Sequence, residues 1–318
     1  EDLGGVDWDF YAKSYKRFLP EINNDYDMAK MLSEMLGELN ASHTGARVGT
    51  TAPRQQTANL GAFFDDEYDG DGLKIKEIIK GGPLDFTGSK IKAGHIIKKI
   101  DGRAIEKGKD YFPLLAGKSG KRTLLVLTDD KGKNEYEQEV IPTSSGAVGN
   151  LLYKRWVERR REMTEKYSGG RVGYVHVKAM DSESFRDVFS EVLGRNRNKE
   201  ALVVDIRHNG GGWLHDDLGI LLSGKLYQTF EPRGQYIGSD PFMQWYKPSA
   251  VLMCENDYSN AHGFPFMYRA LGIGKLVGAP MAGTMTAVWW ETQVNGRIVV
   301  GLPEVAVKDM SGKYLENQ

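Results

Sequence analysis

Three short stretches of the chain carry residues able to do chemistry: a serine at a turn, a histidine in a glycine-containing loop, and a run of three glycines. Ser259 lies in Asn256-Asp-Tyr-Ser-Asn-Ala-His-Gly-Phe-Pro265, just after the apolar run Ala250-Val-Leu-Met-Cys254. A strand running into a helix there exposes the hydroxyl at the positive end of the helix dipole, a favourable setting for a nucleophile. On residue type alone a plain helix N-cap is the simpler role. His43, in Ser42-His-Thr-Gly45, is the one of six histidines flanked by small polar residues in such a loop. It is a candidate general base, although a structural or solvated histidine is the simpler reading of the residue by itself. Val203-Val-Asp-Ile-Arg-His-Asn-Gly-Gly-Gly212 reads as a buried strand running into a triple-glycine loop and then a helix. Consecutive glycines let backbone N–H groups converge without Cβ obstruction, which suits a phosphate or a developing oxyanion. A tight turn with no ligand fits equally well. No Gly-Lys-Ser/Thr follows and the spacing is wrong for a dinucleotide fingerprint, so neither nucleotide motif is present.

The elements needed to position these groups follow from periodicity. Residues 7–50 read as helical, with one apolar stripe from Trp8 to Phe18 ending near Pro20 and a second through Met28, Met31, Leu32, Met35 and Leu36. Residues 50–57 are polar and unpatterned, a linker. Short β-like runs separated by Asp-Gly and Gly-Gly-Pro turns fill residues 58–143, at Leu60–Phe64, Leu73–Ile79, His95–Ile100 and Thr123–Leu127. A charged helix over 150–167, within a connecting segment 144–170, leads to residues 171–318. There strands at 172–177, 202–206, 251–254 and 276–277 alternate with helices at 182–193, 214–222 and 261–271, which indicates βαβ crossover units.

With 318 residues, the chain has room for two domains or one large domain carrying an insert. A net charge of -1 argues against a nucleic-acid or polyanion binder. The longest apolar runs are too short to span a bilayer. Cys254 is the single cysteine, so no intrachain disulfide and no multi-cysteine metal site is expected, and its apolar neighbours predict a buried thiol. Neither a basic stretch nor an apolar core of a leader stands at the amino terminus, so the expectation is a cytoplasmic protein or one whose leader has been removed.

Ala93-Gly-His-Ile-Ile-Lys-Lys-Ile-Asp-Gly102 resembles the signature of PDZ domains, with His95 where aspartate is commoner. Lys80-Gly-Gly-Pro-Leu-Asp-Phe86 resembles the turn and helix before it, and Asn59-Leu-Gly-Ala-Phe-Phe64 the carboxylate-binding loop. By that resemblance, Leu60, Gly61, Ala62 and Phe63 would hold the terminal carboxylate of a peptide that adds a strand to the sheet edge.

The pieces together resemble the tail-specific, or C-terminal processing, serine peptidases, and most closely their tricorn-type branch. Glu38-Leu-Asn-Ala-Ser-His-Thr44 is similar to the family's "E-L-x-x-S-H" segment, and Asp205-Ile-Arg-His-Asn-Gly-Gly-Gly212 to its "D-x-R-x-N-x-G-G" loop. Ser259-Asn-Ala-His-Gly-Phe-Pro265 with Leu271-Gly-Ile-Gly-Lys-Leu-Val-Gly278 resembles the nucleophile helix and the strand beyond it. Lys313-Tyr-Leu-Glu-Asn317 resembles the terminal segment that carries the acid. Where Ser/Lys members have their lysine, this chain has Thr284, which favours a Ser–His mechanism.

The resemblance implies an α/β fold: a crotonase/ClpP-like βαβ core over 171–318, a helical amino-terminal part over 1–50, and an inserted PDZ-like domain over 58–143. It implies Ser259 as nucleophile, His43 as base, Glu316 as the acid that orients it and Ser42 completing a tetrad. Oxyanion donors would come from the N–H groups of Gly211 or Gly212 and of Asn260. His262, three residues from Ser259, is a weaker candidate base. Aligning on the upstream Asn-x-Tyr instead would put Ala261 at the nucleophile position and make the chain an inactive peptide-binding or scaffolding homologue. The leading expectation is a serine endopeptidase acting on unfolded proteins or peptides, with no cofactor and no metal, the PDZ-like module recruiting or gating substrate. Exported or periplasmic bacterial location is implied, with a cytoplasmic one as the alternative, and an oligomer is compatible with the sequence.

Overall fold

The structure, a computed structural model, describes residues 5–49 and 56–317. It divides into two compact units: Ala52–Arg159 is one, and the sequence on either side of it forms the other. Most of the linker expected over 50–57 lies outside the described residues.

The larger unit begins with α1 (Trp8–Lys16) and α2 (Asp25–Gly37), each started by a side-chain cap. Asp7 accepts the Phe10 N–H (3.0 Å), and Asn24 accepts the Asp27 N–H (3.0 Å). The helical reading of 7–50 then needs correction, because Gly45–Val48 is a strand, β1. Four residues are too few to show a period, and the strand exists only through pairing with the far end of the chain.

In the unit 52–159, β2 (Ala62–Phe64), β3 (Leu73–Ile78), β4 (Ile96–Ile100), β5 (Arg103–Ala104), β6 (Thr123–Thr128) and β7 (Tyr136–Val140) make one antiparallel sheet. The order is β2-β3-β4-β6-β7, with β5 paired to β4, so β2 is an edge strand. Leu60, Ile75, Ile97, Leu125 and Leu127 form its core. Helix α3 (Ser145–Ser168) follows.

The chain then runs through β8 (Val172–His176), α4 (Ser182–Leu193), β9 (Ala201–Asp205), α5 (His215–Leu222), the small antiparallel pair β10 (Gln228–Phe230) and β11 (Gly238–Asp240), β12 (Ser249–Met253), α6 (Asn260–Ala270) and β13 (Lys275–Gly278). Strands β8, β9, β12 and β13 form a parallel sheet in sequence order. Val175, Val204 and Val251 are fully buried beneath Leu218, Phe264 and Tyr268, as a parallel sheet covered by its crossover helices requires. Asp181 starts α4 by accepting the Ser184 N–H (2.8 Å). Two last strands, β14 (Thr286–Thr292) and β15 (Ile298–Ala306), pair with each other and β15 with β1, giving the antiparallel sheet β1-β15-β14. The strand–helix alternation read from the sequence stops short of this sheet.

Candidate active site

Neighbouring parallel strands bring the loops at their carboxyl ends together, and β9 pairs with β12 in the register Asp205↔Leu252. The triple-glycine loop leaves β9 and the Ser259 turn leaves β12, so the two meet. Asn209, fully buried, fastens them. Its N–H donates to Asp257 Oδ1 (3.2 Å), its carbonyl accepts the Tyr258 N–H (3.0 Å), Nδ2 donates to the Val177 carbonyl (2.8 Å) and Oδ1 accepts the Gly211 N–H (2.8 Å). Beneath, the fully buried Asp205 carboxylate accepts the Tyr174 hydroxyl (2.7 Å) and Arg207 Nη2 (2.6 Å). Burial would raise the Asp205 carboxyl, but bonds from Arg207 and Tyr174 outweigh it and hold the group below the ordinary range. Each polar residue of the Asp-x-Arg-x-Asn run thus has a structural task.

Ser259 sits at φ 57° and ψ −125°, a region that a residue with a Cβ rarely adopts. Its side chain makes no capping bond to α6, so the N-cap role is not what the hydroxyl does here. The turn is the sharp strand-to-helix kind that leaves a serine Oγ exposed above a sheet. It closes only because Gly211 approaches without a Cβ: one there would lie 2.6 Å from Ser259 Cβ and 2.7 Å from the Tyr258 carbonyl oxygen. The Ser259 N–H donates to Thr284 Oγ1 (2.9 Å), so the residue at the family's lysine position lies against the serine. Ala261 is fully buried in the core, which removes it from the surface the nucleophile register would require.

The expectation that Gly211 supplies an oxyanion donor is corrected: its N–H is held by Asn209 Oδ1. Among the described residues the N–H groups of Gly212 and Asn260 donate to no protein acceptor. The Asn260 side chain ties α5 to the turn, accepting the Leu214 N–H (2.8 Å) and His215 N–H (3.1 Å) and donating to His215 Nδ1 (2.8 Å).

Ser42, His43 and Glu316 form one network. Glu316 Oε1 accepts the Ser42 N–H (2.5 Å), and Oε2 accepts both Ser42 Oγ (3.0 Å) and the Met285 N–H (2.6 Å). His43 Nδ1 faces Ser42 Oγ at 2.9 Å and Thr286 Oγ1 at 3.1 Å. The His43 backbone, at φ 63°, donates its N–H to the Tyr258 hydroxyl (2.7 Å), and the two rings lie 4.8 Å apart. Burial lowers the imidazole pKa from its ordinary value, and the Glu316 charge opposes that only in part. Glu316 is carried in by Leu315, which is buried and donates to the Val307 carbonyl (3.0 Å). Asn317 holds the turn, donating its N–H to the Gly283 carbonyl (2.8 Å) and Nδ2 to the Asn40 carbonyl (2.7 Å).

Ser259 Oγ stands outside this network and makes no hydrogen bond to any described residue. His262 is turned elsewhere: its Nδ1 accepts the Thr284 N–H (3.2 Å), and it lines a cleft of about 320 Å³ with Arg269, Asp309, Lys313 and apolar residues. Thr284 was placed from the sequence only as the residue at the family's lysine position, and Tyr258 and Thr286 were not reached as partners of the site. Thr284 and Thr286 alternate, as side chains on one face of an extended segment do, and that spacing was the one signal for Thr286.

In the other unit, Leu60 is buried, the Gly61 N–H donates to Asn59 Oδ1 (2.8 Å) and the Gly61 carbonyl accepts the Ile79 N–H (2.9 Å). Ala62 and Phe63 pair with Ile78 and Glu77 on one side of the edge strand β2. Among the described residues no group of His, Cys, Asp and Glu is arranged to hold a metal, and no helix is long and apolar enough to cross a membrane.

Residues 171–318 match Peptidase family S41, residues 1–37 the tricorn protease C1 domain, and residues 59–143 the tricorn protease PDZ domain. The chain is 29% identical to Tricorn protease homolog 1 of Streptomyces coelicolor over 90% of its own length and 27% of that protein's. It is 27% identical to the tricorn protease homolog of Saccharolobus solfataricus over 94% of its length and 28% of that protein's. The chain therefore spans little more than a quarter of the curated relatives it matches. Its fold follows a crystal structure of the tricorn protease with a TM-score of 0.81 at 22% identity, covering 97% of this chain and 31% of that one. The chain thus carries a peptidase family S41 domain, of a family of serine peptidases, together with tricorn C1 and tricorn PDZ domains.

Proposed function

We propose that the chain hydrolyses peptide bonds of unfolded proteins or peptides with Ser259 as nucleophile, His43 as general base, and Glu316 acting on His43 through Ser42. The observation that carries this is the strained Ser259 turn, whose side chain makes no capping bond to α6 and whose hydroxyl donates to no described residue. His43 Nε2 accepts the Ser259 proton as Oγ adds to the scissile carbonyl, and the imidazolium then gives that proton to the leaving amine. The tetrahedral oxyanion accepts from the N–H groups of Gly212 and Asn260, the second at the first turn of α6 where the helix dipole adds to it. Water completes the cycle by attacking the acyl-enzyme with His43 again as base. Sequestered behind one hydroxyl, the Glu316 charge stabilises the imidazolium without competing for its proton. The Ser259–His43 hydrogen bond forms when substrate closes the site, as is common where the free enzyme leaves the pair apart.

The PDZ-like module is proposed to recruit or gate substrate by strand addition along the free edge of β2. Since the Gly61 N–H is already held within its loop, any carboxylate contact there falls to the neighbouring residues.

A fluorophosphonate probe should label wild-type protein at Ser259, identified by peptide mapping. Ser259→Ala should lose both labelling and cleavage of an unstructured polypeptide. Cleavage that persists in the alanine variant rejects the assignment, and wild-type protein that binds peptide without labelling or turnover favours a non-catalytic binding role.

Activity should also report the buried imidazole. Because burial lowers the His43 pKa and the base must be neutral, kcat/KM should fall with acid only below about pH 6.5, the ordinary histidine value. An acid limb centred above that value would contradict the assignment of His43.

A further inference from the structure

We infer that Thr286 is a positioning residue for His43, sharing with Ser42 the task of holding the imidazole in the tautomer that leaves Nε2 free as a base. This rests on the reading of His43 as the base given above.

The argument is a count of protons. Ser42 Oγ has one proton and lies 3.0 Å from Glu316 Oε2, a carboxylate oxygen that can only accept. Thr286 Oγ1 has one proton and lies 3.0 Å from the Ser42 carbonyl oxygen, which also can only accept. Each hydroxyl donates away from the ring and turns a lone pair toward Nδ1, at 2.9 and 3.1 Å. Facing two acceptors, Nδ1 must carry the proton. The two hydroxyl oxygens also touch each other at 2.9 Å, so Thr286 restricts the rotation of Ser42.

Thr286 belongs to a three-residue segment that touches each principal part of the site in turn. Thr284 Oγ1 takes the Ser259 N–H, the Met285 N–H goes to Glu316, and Thr286 Oγ1 meets His43. The segment enters β14, whose pairing with β15 begins at Thr286↔Ala306. Backbone rigidity there sets the mutual placement of the groups that must react. Among the described residues, the titratable groups facing His43 are Glu316, reached through Ser42, and the Tyr258 hydroxyl from the serine turn.

The test compares Thr286→Val, which keeps the branched shape, with Thr286→Ser, which keeps the hydroxyl. Thr286→Val should lower kcat roughly 10- to 100-fold with little change in KM, the range for loss of a hydrogen bond to a group that becomes charged. Losing an acceptor of Nδ1–H disfavours the imidazolium, so the acid limb of the pH profile should move to lower pH. Thr286→Ser should restore both. Independently of turnover, NMR titration of the His43 ring in a Ser259→Ala background should show the same downward shift for Val and none for Ser. If Val titrates like wild type, or Ser fails to rescue, the inference is overturned. If wild type neither labels nor cleaves, the peptidase reading fails, while the titration still decides whether Thr286 holds the ring.

Discussion

Ser259→Gly should abolish peptide hydrolysis and raise the melting temperature. Removing the nucleophile of a serine peptidase costs on the order of 10⁶ in kcat, because the base, acid and oxyanion donors act through it. The stability gain has a separate cause. At φ 57° and ψ −125° the Ser259 Cβ crowds its own backbone, a strain of about 1–3 kcal/mol that glycine does not carry. Greater freedom of glycine in the unfolded chain offsets about 0.5–1 kcal/mol. A net gain of about 1 kcal/mol corresponds to a rise of roughly 2–4 °C for a unit of this size. Ser259→Ala is the control, since alanine retains the Cβ and the strain and should melt near the wild-type temperature. Calorimetry of the three proteins decides the point: a glycine variant melting no higher than the alanine variant means that the turn stores no strain.

Gly211→Ala should act directly on the serine turn, the only change in the glycine loop whose new Cβ would meet Ser259 itself. An alanine Cβ would stand 2.6 Å from Ser259 Cβ, 2.7 Å from the Tyr258 carbonyl oxygen and 3.1 Å from the Asn260 nitrogen, at a backbone φ of +93°. Positive φ costs an L-residue about 1–2 kcal/mol, and forcing bulk into a packed site about 1–3 kcal/mol more. Relief would come by pushing the serine turn away, so the rate of fluorophosphonate labelling should fall by about 100-fold or more, the sensitivity expected of an ångström-scale misplacement. Gly210 is the internal comparison, because a Cβ there meets nothing within 4 Å. Its alanine variant should stay within about 0.5 kcal/mol of wild type in denaturant unfolding. Equal stability and equal labelling for the two variants would remove the steric account of the turn.

Much of the fold was legible because its signals are local. Helix α4 spans the residues read from the sequence, since an amphipathic period and the Asp181 cap lie within the segment itself. The βαβ alternation is visible for the same reason, as buried parallel strands are apolar throughout. β1, β14 and β15 were not legible. β1 is held by pairing with the far end of the chain, Gly45↔Gly301 through Val48↔Ile298, and no short window records a partner so far away, whereas β14 pairs with the adjacent β15.

The site divides along the same line. Residue types and spacing picked out Ser259, His43 and the glycine loop as candidates, because a serine turn, a small-residue histidine loop and consecutive glycines are features of neighbouring residues, while the roles of Glu316 and Ser42 came only from the family resemblance. Only the tertiary structure decided which glycine N–H is free, since Gly211 is held by Asn209 Oδ1 and Gly212 is not. Likewise Thr286 and Tyr258 hold His43 from distant strands and turns, and Glu316 reaches the imidazole through Ser42 rather than directly. Sequence spacing can name the groups capable of a proton transfer. The assignment of each donor to an acceptor requires the folded chain, because a hydrogen bond is a matter of distance and angle between atoms that the sequence keeps far apart.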